Sequence, residues 1–340
     1  MRLARVLTLM TGSMWIVGDA RRALPVGLRA REVAYSVGEL GPIVGANHTL
    51  GIVYTFLGRY EDAARLLSAN VELIGSDRAR EGFGRGIAVS VASRAWIAWS
   101  LSCVGRFDEA GTAAAVALDI SGAIDQPWTT IAARWGAAFL SLVRGEFKAI
   151  LPVLRETTAL CEAAGIRIYH AAFLAGVGRA CARTGMVDEG LAALREAAAA
   201  AAESNKVAEC FTLWWLADAE LMVRNIEAAQ SIAMQAVDLA RIREERGTLA
   251  DALVALSDVH RERNDRATAV ELLEEAMTLG RELGMRPTVA HCHARLARLY
   301  RTTGRGDAGG QHFVAARTMY REMGMTYWLE QVENEPTQLT

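Results

Sequence analysis

The sequence contains no pair of cysteines of the kind that holds a metal ion or a redox disulfide. Five cysteines stand singly along the chain, without any CxxC pattern: Cys103, Cys161, Cys181, Cys210 and Cys292. Regularly paired cysteines are typical of disulfide-bonded secreted proteins. We therefore expect a reduced, cytoplasmic protein.

Long apolar runs are also missing. A membrane-spanning helix needs roughly 18 apolar residues, and Arg94 and Arg134 interrupt the two most apolar stretches. At the N-terminus, Arg2 and Arg5 precede an apolar segment and so imitate a secretory signal, but Thr-Gly-Ser at positions 11–13 breaks that segment. We interpret residues 1–17 as the first helix of the fold and expect no membrane partner.

Charge of one sign is not concentrated anywhere. The net charge is −2, aromatic residues make up only 7% of the chain, and no region has a basic face interleaved with aromatic side chains. Proteins that bind nucleic acids neutralise phosphates with clustered lysines and arginines. We expect no nucleic-acid partner.

Two short motifs resemble chemical sites but lack the context that the chemistry needs. Gly82, Gly84 and Gly86 approach phosphate-loop spacing without the lysine and serine or threonine of a Walker motif. Residues 291–293 are His-Cys-His, but side chains two apart on a helix point to different sides, and no second ligand pair follows. The sequence predicts a protein with no enzymatic activity, no cofactor and no metal.

The sequence does contain an internal repeat. The phrase Gly-Arg-Tyr-Glu-Asp-Ala at residues 58–63 recurs as Gly-Arg-Phe-Asp-Glu-Ala at residues 105–110, and looser copies follow. The copies begin at Gly18, Gly58, Gly105, Gly145, Gly185, Arg224, Asn264 and Gly304. Spacing near 40 residues indicates a repeat array, and a glycine before an acidic pair is typical of a helix–turn–helix joint.

Small residues recur at fixed offsets from each turn. The position five residues after the turn holds Ala23, Ala63, Ala110, Ile150, Gly190, Ala229, Ala269 or Gly309. Two further columns lie seven residues before and twelve residues after the turn. Small side chains let paired helices approach closely, so we expect eight helical hairpins and a short capping helix at residues 326–333. We also expect positive φ at Gly58, Gly105, Gly145 and Gly185, whereas Arg224 either adopts it with strain or ends its helix differently.

These columns resemble the tetratricopeptide repeat (TPR). Leucine and a small residue pair in the first helix (Leu50-Gly51, Leu296-Ala297), and an aromatic residue follows at Tyr54 and Tyr300. The period exceeds the usual ~34 residues, so the chain resembles the long-helix subtype of MalT-like regulators. Residues 315–329 also resemble the C-terminal TPR arm of bacterial class III cyclase/AAA-ATPase proteins.

The resemblance implies an all-α, right-handed α-α superhelix in which residues 1–333 form a single domain. We expect a bend at residues 76–86, where a longer joint accounts for the one 47-residue step, and a disordered tail at residues 334–340. Met1 opens directly into an apolar helix, whereas a solenoid needs a polar cap. We therefore expect preceding protein or an oligomer contact at this end.

In TPR proteins the first helix of each hairpin lines the concave inner surface. At those positions the sequence is aromatic in the earlier repeats and charged in the later ones. The candidate groove residues are Trp99, Trp135, Phe139, Arg179, Arg183, Trp214, Asp218 and Asp258. They form either an anchor site for an apolar side chain or a filling between helices in an Ala-rich core.

Three functions remain open from the sequence. The chain is a regulatory interaction or sensor module that binds a peptide, a partner domain or a small effector in its groove. Alternatively, it is the detached regulatory arm of a multidomain cyclase/ATPase or transcriptional regulator. The third hypothesis is an assembly scaffold that forms a homodimer and has no groove ligand.

Overall fold

A computed structural model describes residues 1–204, 206–301 and 306–334. Within these ranges the chain forms seventeen α-helices and no β-strand. The helices are α1 (Arg2–Ile16), α2 (Ala20–Val37), α3 (Leu40–Phe56), α4 (Tyr60–Ile74), α5 (Val89–Cys103), α6 (Phe107–Gly122), α7 (Pro127–Arg144), α8 (Phe147–Ala163), α9 (Arg167–Arg183), α10 (Val187–Ser204), α11 (Glu209–Met222), α12 (Ile226–Arg243), α13 (Arg246–Glu262), α14 (Arg266–Glu282), α15 (Arg286–Arg301), α16 (Gly306–Glu322) and α17 (Thr326–Glu333).

Consecutive helices pair into eight hairpins, and α17 follows the last of them. Each hairpin packs on the next, so the fold is the all-α helical-repeat solenoid that the sequence predicts. We number the hairpins 1–8 from the N-terminus and call the segment between two hairpins a joint. The turn at Gly304 and all but the first residue of the tail expected at residues 334–340 lie outside the described residues.

The turns have the backbone conformation that the sequence predicts. Gly58, Gly105, Gly145 and Gly185 have φ between 74° and 95°. Arg224 also adopts positive φ, at 59°, where its Cβ approaches the following carbonyl oxygen and the conformation costs about 1–2 kcal/mol. The strain expected at this position is therefore present in the turn of hairpin 6.

The small-residue columns mark places where two helices leave no room for a side chain. In hairpin 5, a Cβ on Gly178 of α9 would lie 2.8 Å from the carbonyl oxygen of Gly190 in α10. A Cβ on Gly190 would in turn lie 2.7 Å from the backbone nitrogen of Ala182. Backbone atoms cannot move aside as a flexible side chain can, so this spacing requires glycine at both positions.

The long joint between α4 and α5 is a series of turns tied to the solenoid. Arg85 Nη2 donates hydrogen bonds to the carbonyl oxygen of Gly45 (3.3 Å) and to Thr49 Oγ1 (3.1 Å), both in α3. At its end, the Ala88 amide donates to Thr129 Oγ1 of α7 at 3.1 Å. The joint thus connects hairpins 2, 3 and 4, and a bend of the solenoid at residues 76–86 stays a prediction.

The solenoid closes on itself because the turns of the first hairpins pack against the joints of the last ones. At the turn of hairpin 1, Arg21 pairs with Glu244 of the joint before α13 at 3.0 Å. At the turn of hairpin 4, Trp328 Nε1 of α17 donates to the Val143 carbonyl oxygen at 3.2 Å. We call this set of contacts the closure; successive turns meet successive joints.

An apolar cluster forms the middle of the closure. Tyr60, at the start of α4, and Val104, at the end of α5, are buried against Ala250 of α13 and Met285 of the joint before α15. Each of these side chains is at most 6% exposed. Apolar side chains removed from water in this way favour the closed form by about 25 cal/mol for each Å² buried.

A cluster of buried charges lies beneath the first turn. Arg243 pairs with Glu209, its Nη1 lies 3.9 Å from Glu245 Oε1, and all three residues are less than 9% exposed. One guanidinium therefore faces two carboxyl groups. Burial, with a contribution from the charge of Glu209, raises the pKa of Glu245 to about 7 although Arg243 opposes the shift.

This cluster predicts a pH dependence of stability. Because the pKa of Glu245 is higher in the folded protein than in the unfolded chain, the folded state holds the proton more tightly. The contribution of Glu245 to the free energy of unfolding therefore falls as pH rises from about 4.5 to above 7. Glu245→Gln should flatten the profile of urea unfolding between pH 5 and 8. Glu244→Gln changes an exposed neighbour and should leave the pH profile of the wild-type protein unchanged. Parallel profiles for the wild type and both variants would contradict the assignment.

The closure also predicts a difference between two turn glycines. A Cβ on Gly145 would lie 2.8 Å from Tyr327 Cβ, whereas a Cβ on Gly185 meets no atom within 4 Å. Both residues have positive φ, so alanine should cost about 1 kcal/mol at Gly185. Gly145→Ala should cost about 1–3 kcal/mol more because α17 must shift. Equal losses in denaturant unfolding would argue against the closure.

Candidate ligand-binding site in the solenoid interior

Closure narrows the concave surface to an interior that stays partly open to solvent. The last turns of α5, α7 and α9 and the first half of α11 meet the first turns of α13 and α15 around a cavity of about 80 Å³. A smaller cavity of about 20 Å³ adjoins it on the side of α17. We call the two cavities together the interior site; its defining residues are Trp99, Phe139, Arg179, Trp214, Asp251 and His291.

One half of the interior site is aromatic. Trp99 stacks on Phe139 with their ring centroids 4.2 Å apart, and on Trp96 at 4.9 Å. Only 7% of Trp99 and 8% of Phe139 is exposed, and both rings line the larger cavity. These two groove candidates therefore pack tightly against their neighbours and also form a wall of the site.

Trp135 does not lie where the groove hypothesis places it. It is 2% exposed and does not line either cavity. Its ring lies 5.4 Å from Trp99 and 5.2 Å from Phe173, so it supports the aromatic wall from behind. The physical reason is that neighbouring α5, α7 and α9 pack closely, so an inward-pointing indole on the middle helix fills the space between them.

The other half of the interior site carries ion pairs. Arg183 pairs with Asp218, and Arg295 Nε donates to Asp258 Oδ2 at 2.6 Å. Burial opposes ionisation of Asp258, but Arg295 and Arg261 hold its pKa below the ordinary value. Four of the candidates thus belong to this half: Arg183 and Asp218 line the smaller cavity, Asp258 supports its lining residue Arg295, and Arg179 borders both cavities.

Arg179 occupies the junction of the two halves. Its guanidinium carbon lies 4.5 Å from the ring centroid of Trp214 and 4.9 Å from that of Trp215, and only 7% of the residue is exposed. Nη1 is buried without a hydrogen-bond partner. Burial, with a contribution from Arg183, lowers the pKa of Arg179 to about 9, although Asp218 and Asp251 oppose the shift.

Two polar residues that the sequence did not single out complete the site. Asp251 Oδ1 accepts a hydrogen bond from Thr288 Oγ1 at 2.7 Å, and burial raises its pKa to about 6. His291 Nδ1 lies 2.6 Å from the Tyr320 hydroxyl, and burial lowers the pKa of the imidazole well below its ordinary value. Near neutral pH, His291 is therefore neutral and Asp251 is mostly ionised.

A sequence signal for these two residues exists in retrospect. Phe211, Asp251 and His291 each lie thirteen residues before a repeat turn, in the first turns of α11, α13 and α15. This position lies three residues before the column that holds Trp135 and Trp214, and therefore on the same face of the first helix, one turn nearer its N-terminus. Closure brings it to the interior, where all three side chains line the larger cavity.

Metal binding finds no support at the His-Cys-His motif. His291 faces Tyr320, Cys292 is buried in the core of the last hairpins, and His293 Nδ1 lies 2.8 Å from His312 Nδ1. The three side chains thus point apart, as expected on a helix. Among the described residues, no group of three or more His, Cys, Asp or Glu is arranged to hold a metal ion.

None of the helices that the structure describes combines the length and apolar character needed to cross a membrane.

No protein-family model and no curated protein sequence matches the chain. Solved structures are nevertheless similar to it. A Rap conjugation gene regulator of plasmid pLS20 in complex with the Phr* peptide has 10% identity and a TM-score of 0.66, with 98% of each chain covered. A Rap protein complexed with competence and sporulation factor has 14% identity and a TM-score of 0.66, with 82% of this chain and 74% of that one covered.

A third similar structure is a multidomain protein. It is the Signal Transduction ATPase with Numerous Domains protein with a tetratricopeptide repeat sensor from Pyrococcus horikoshii, at 14% identity and a TM-score of 0.50. The match covers 97% of this chain but 50% of that one. Together the three likenesses show that the chain has a TPR-like helical-repeat fold.

The geometry predicts that two tryptophans have different roles. Trp135→Ala should lower the free energy of unfolding by about 3–5 kcal/mol, as expected when a buried aromatic ring leaves a cavity. Trp214, which is half-buried and borders both cavities, should cost much less when replaced by alanine. Urea unfolding of both variants measures the difference, and equal losses would place Trp214 in the core as well.

Proposed function

We propose that the protein is a regulatory, non-catalytic TPR-like module that senses a peptide bound in the interior site. The observation that carries this proposal is the composition of the cavity wall. Hairpins 2–6 provide an aromatic wall and a buried arginine, and hairpins 7 and 8 provide Asp251 and His291. A small number of polar groups on a mostly apolar concave wall is typical of ligand sites.

The similar structures support a peptide as the ligand class. Two of the structures with a TM-score of 0.66 are complexes, one with the Phr* peptide and one with competence and sporulation factor. Both have the fold of this chain, in which the concave surface faces a central space. A peptide can place an apolar side chain against Trp99 and Phe139 and its polar atoms toward the ion pairs.

The groups around the cavity support binding rather than catalysis. Cys103 is the thiol that lines the larger cavity, and burial raises its pKa, which disfavours the nucleophilic thiolate. The lowered pKa of His291 makes its imidazole a weak base, and its Nδ1 lies 2.6 Å from the Tyr320 hydroxyl. These two side chains therefore do not form a nucleophile–base pair.

The position of the site links ligand binding to closure. A ligand that touches Trp99 of α5 and Asp251 of α13 contacts an early hairpin and a late hairpin of the closed solenoid at once. If the ligand binds the closed form more tightly, it shifts the population toward that form by the difference in binding free energy. The module would thereby report the ligand as a change of superhelical curvature to whatever protein it contacts.

A second candidate function is that of a regulatory arm within a larger assembly. The match to about half of a multidomain ATPase with a TPR sensor favours it. The exposed apolar face of α1 also favours a protein contact, because Leu3 and Leu9 are 55% and 68% exposed. A second copy of the chain or a separate effector domain could cover this face, and sedimentation with and without Leu9→Lys distinguishes dimer from monomer.

A peptide selection tests the main proposal. The full chain, immobilised, should retain a subset of a random hexapeptide library, and the retained peptides should change its tryptophan fluorescence. Trp214→Ala should weaken their binding by about tenfold or more, as expected for an aromatic anchor. Trp128→Ala is the matched control because Trp128 is 38% exposed and does not line the interior site.

Two results would overturn the proposal. One is that the library leaves no retained peptide on a folded protein. The other is that Trp128→Ala and Trp214→Ala weaken binding equally, which would place the peptide outside the interior.

A further inference from the structure

The interior site contains cations and carboxyl groups that are only partly matched. Two arginines have a carboxylate in direct contact: Arg183 pairs with Asp218, and Arg295 pairs with Asp258. Arg179 differs from both, because no carboxylate of the described residues lies within 4 Å of its guanidinium. The carboxyl group left over is that of Asp251, which accepts its hydrogen bond from Thr288 instead.

Burying a guanidinium without a paired carboxylate lowers the stability of the fold. A buried charge without a paired acceptor loses its hydration and gains little in return. The ring faces of Trp214 and Trp215 compensate in part through cation–π attraction. They do not accept the hydrogen of Nη1, which stays buried and unpartnered at the junction of the two cavities.

We propose that Arg179 binds a carboxylate of the ligand, and that the apolar group next to this carboxylate enters the aromatic half of the interior site. The inference rests on the proposed peptide-binding function and names the chemical group that the site selects. The planar fork of a guanidinium matches the two oxygens of a carboxylate. The larger cavity, bordered by Arg179, Trp99 and Phe139, is directly adjacent.

The surrounding charges favour a carboxylate over a phosphate. Asp218 and Asp251 lie close enough to Arg179 to oppose the loss of its proton, and both would repel a dianion more strongly than a monoanion. A single negative charge supplies the acceptor that Nη1 of Arg179 lacks. In a peptide this charge comes from either the C-terminal carboxylate or an Asp or Glu side chain.

Four synthetic hexapeptide pools separate these sources. The pools either carry a free C-terminal carboxylate or are amidated, and either contain or lack Asp and Glu. We expect the pool with neither carboxylate to bind the full-length protein about tenfold more weakly or worse, as follows from the loss of a buried charge-assisted pair. Binding is measured by tryptophan fluorescence. The source of the carboxylate is identified by comparing the two pools that contain only one kind of carboxylate.

Three variants connect the effect to Arg179. Arg179→Met keeps the length and apolar stem of the side chain and should abolish the preference for carboxylate while the protein remains folded. Arg179→Lys keeps the charge without the fork and should restore part of that preference. Arg155→Met is the matched control, because Arg155 is exposed and paired with Glu189, and it should behave as wild type.

The outcomes distinguish the two proposals. If the pool without carboxylates binds as well as the others, or if Arg179→Met keeps the preference, the role of Arg179 is wrong while peptide binding stands. If none of the four pools binds, both proposals are wrong. If Arg179→Met does not fold, the comparison of the four pools on the wild-type protein and on Arg179→Lys still decides.

Discussion

The packing of the first turns against the last joints is the constraint on which the interior depends. Consecutive turns meet consecutive joints, from the Arg21–Glu244 pair at one end to the Trp328–Val143 hydrogen bond at the other. The middle of this contact is apolar, because Tyr60 and Met285 are buried in one cluster. Without this contact the inner surface would be an open groove.

Closure also explains why the interior tolerates costly groups. Buried ion pairs contribute little net stability, because desolvation offsets their attraction, and an unpaired guanidinium lowers stability further. In a solenoid, the apolar contacts between neighbouring hairpins are repeated along the whole chain. That stability is sufficient to hold Arg179 between two indole rings in the absence of a partner for Nη1.

The candidate site was only partly accessible from the sequence. The repeat register identified Trp99, Phe139, Arg179 and Trp214, because residues at one offset from each turn share one face of the first helix. The same register misplaced Trp135, because burial depends on how closely three helices pack. It also omitted Asp251 and His291, because the inner-surface offsets stopped ten residues before the turn and these two residues lie thirteen before it.

The sequence by itself determined the local structure and its repetition. Turn glycines, small-residue columns and a constant spacing specify helical hairpins, since each depends on residues that are close along the chain. Only the tertiary structure decided which surfaces meet across the solenoid. A hairpin contacts its sequence neighbours in any superhelix, whereas the contact between hairpins 1–4 and the segments that follow hairpin 6 depends on small rotations that accumulate over many repeats. No single repeat encodes the total rotation of the solenoid. The interior site exists because that total rotation brings the first turns against the last joints.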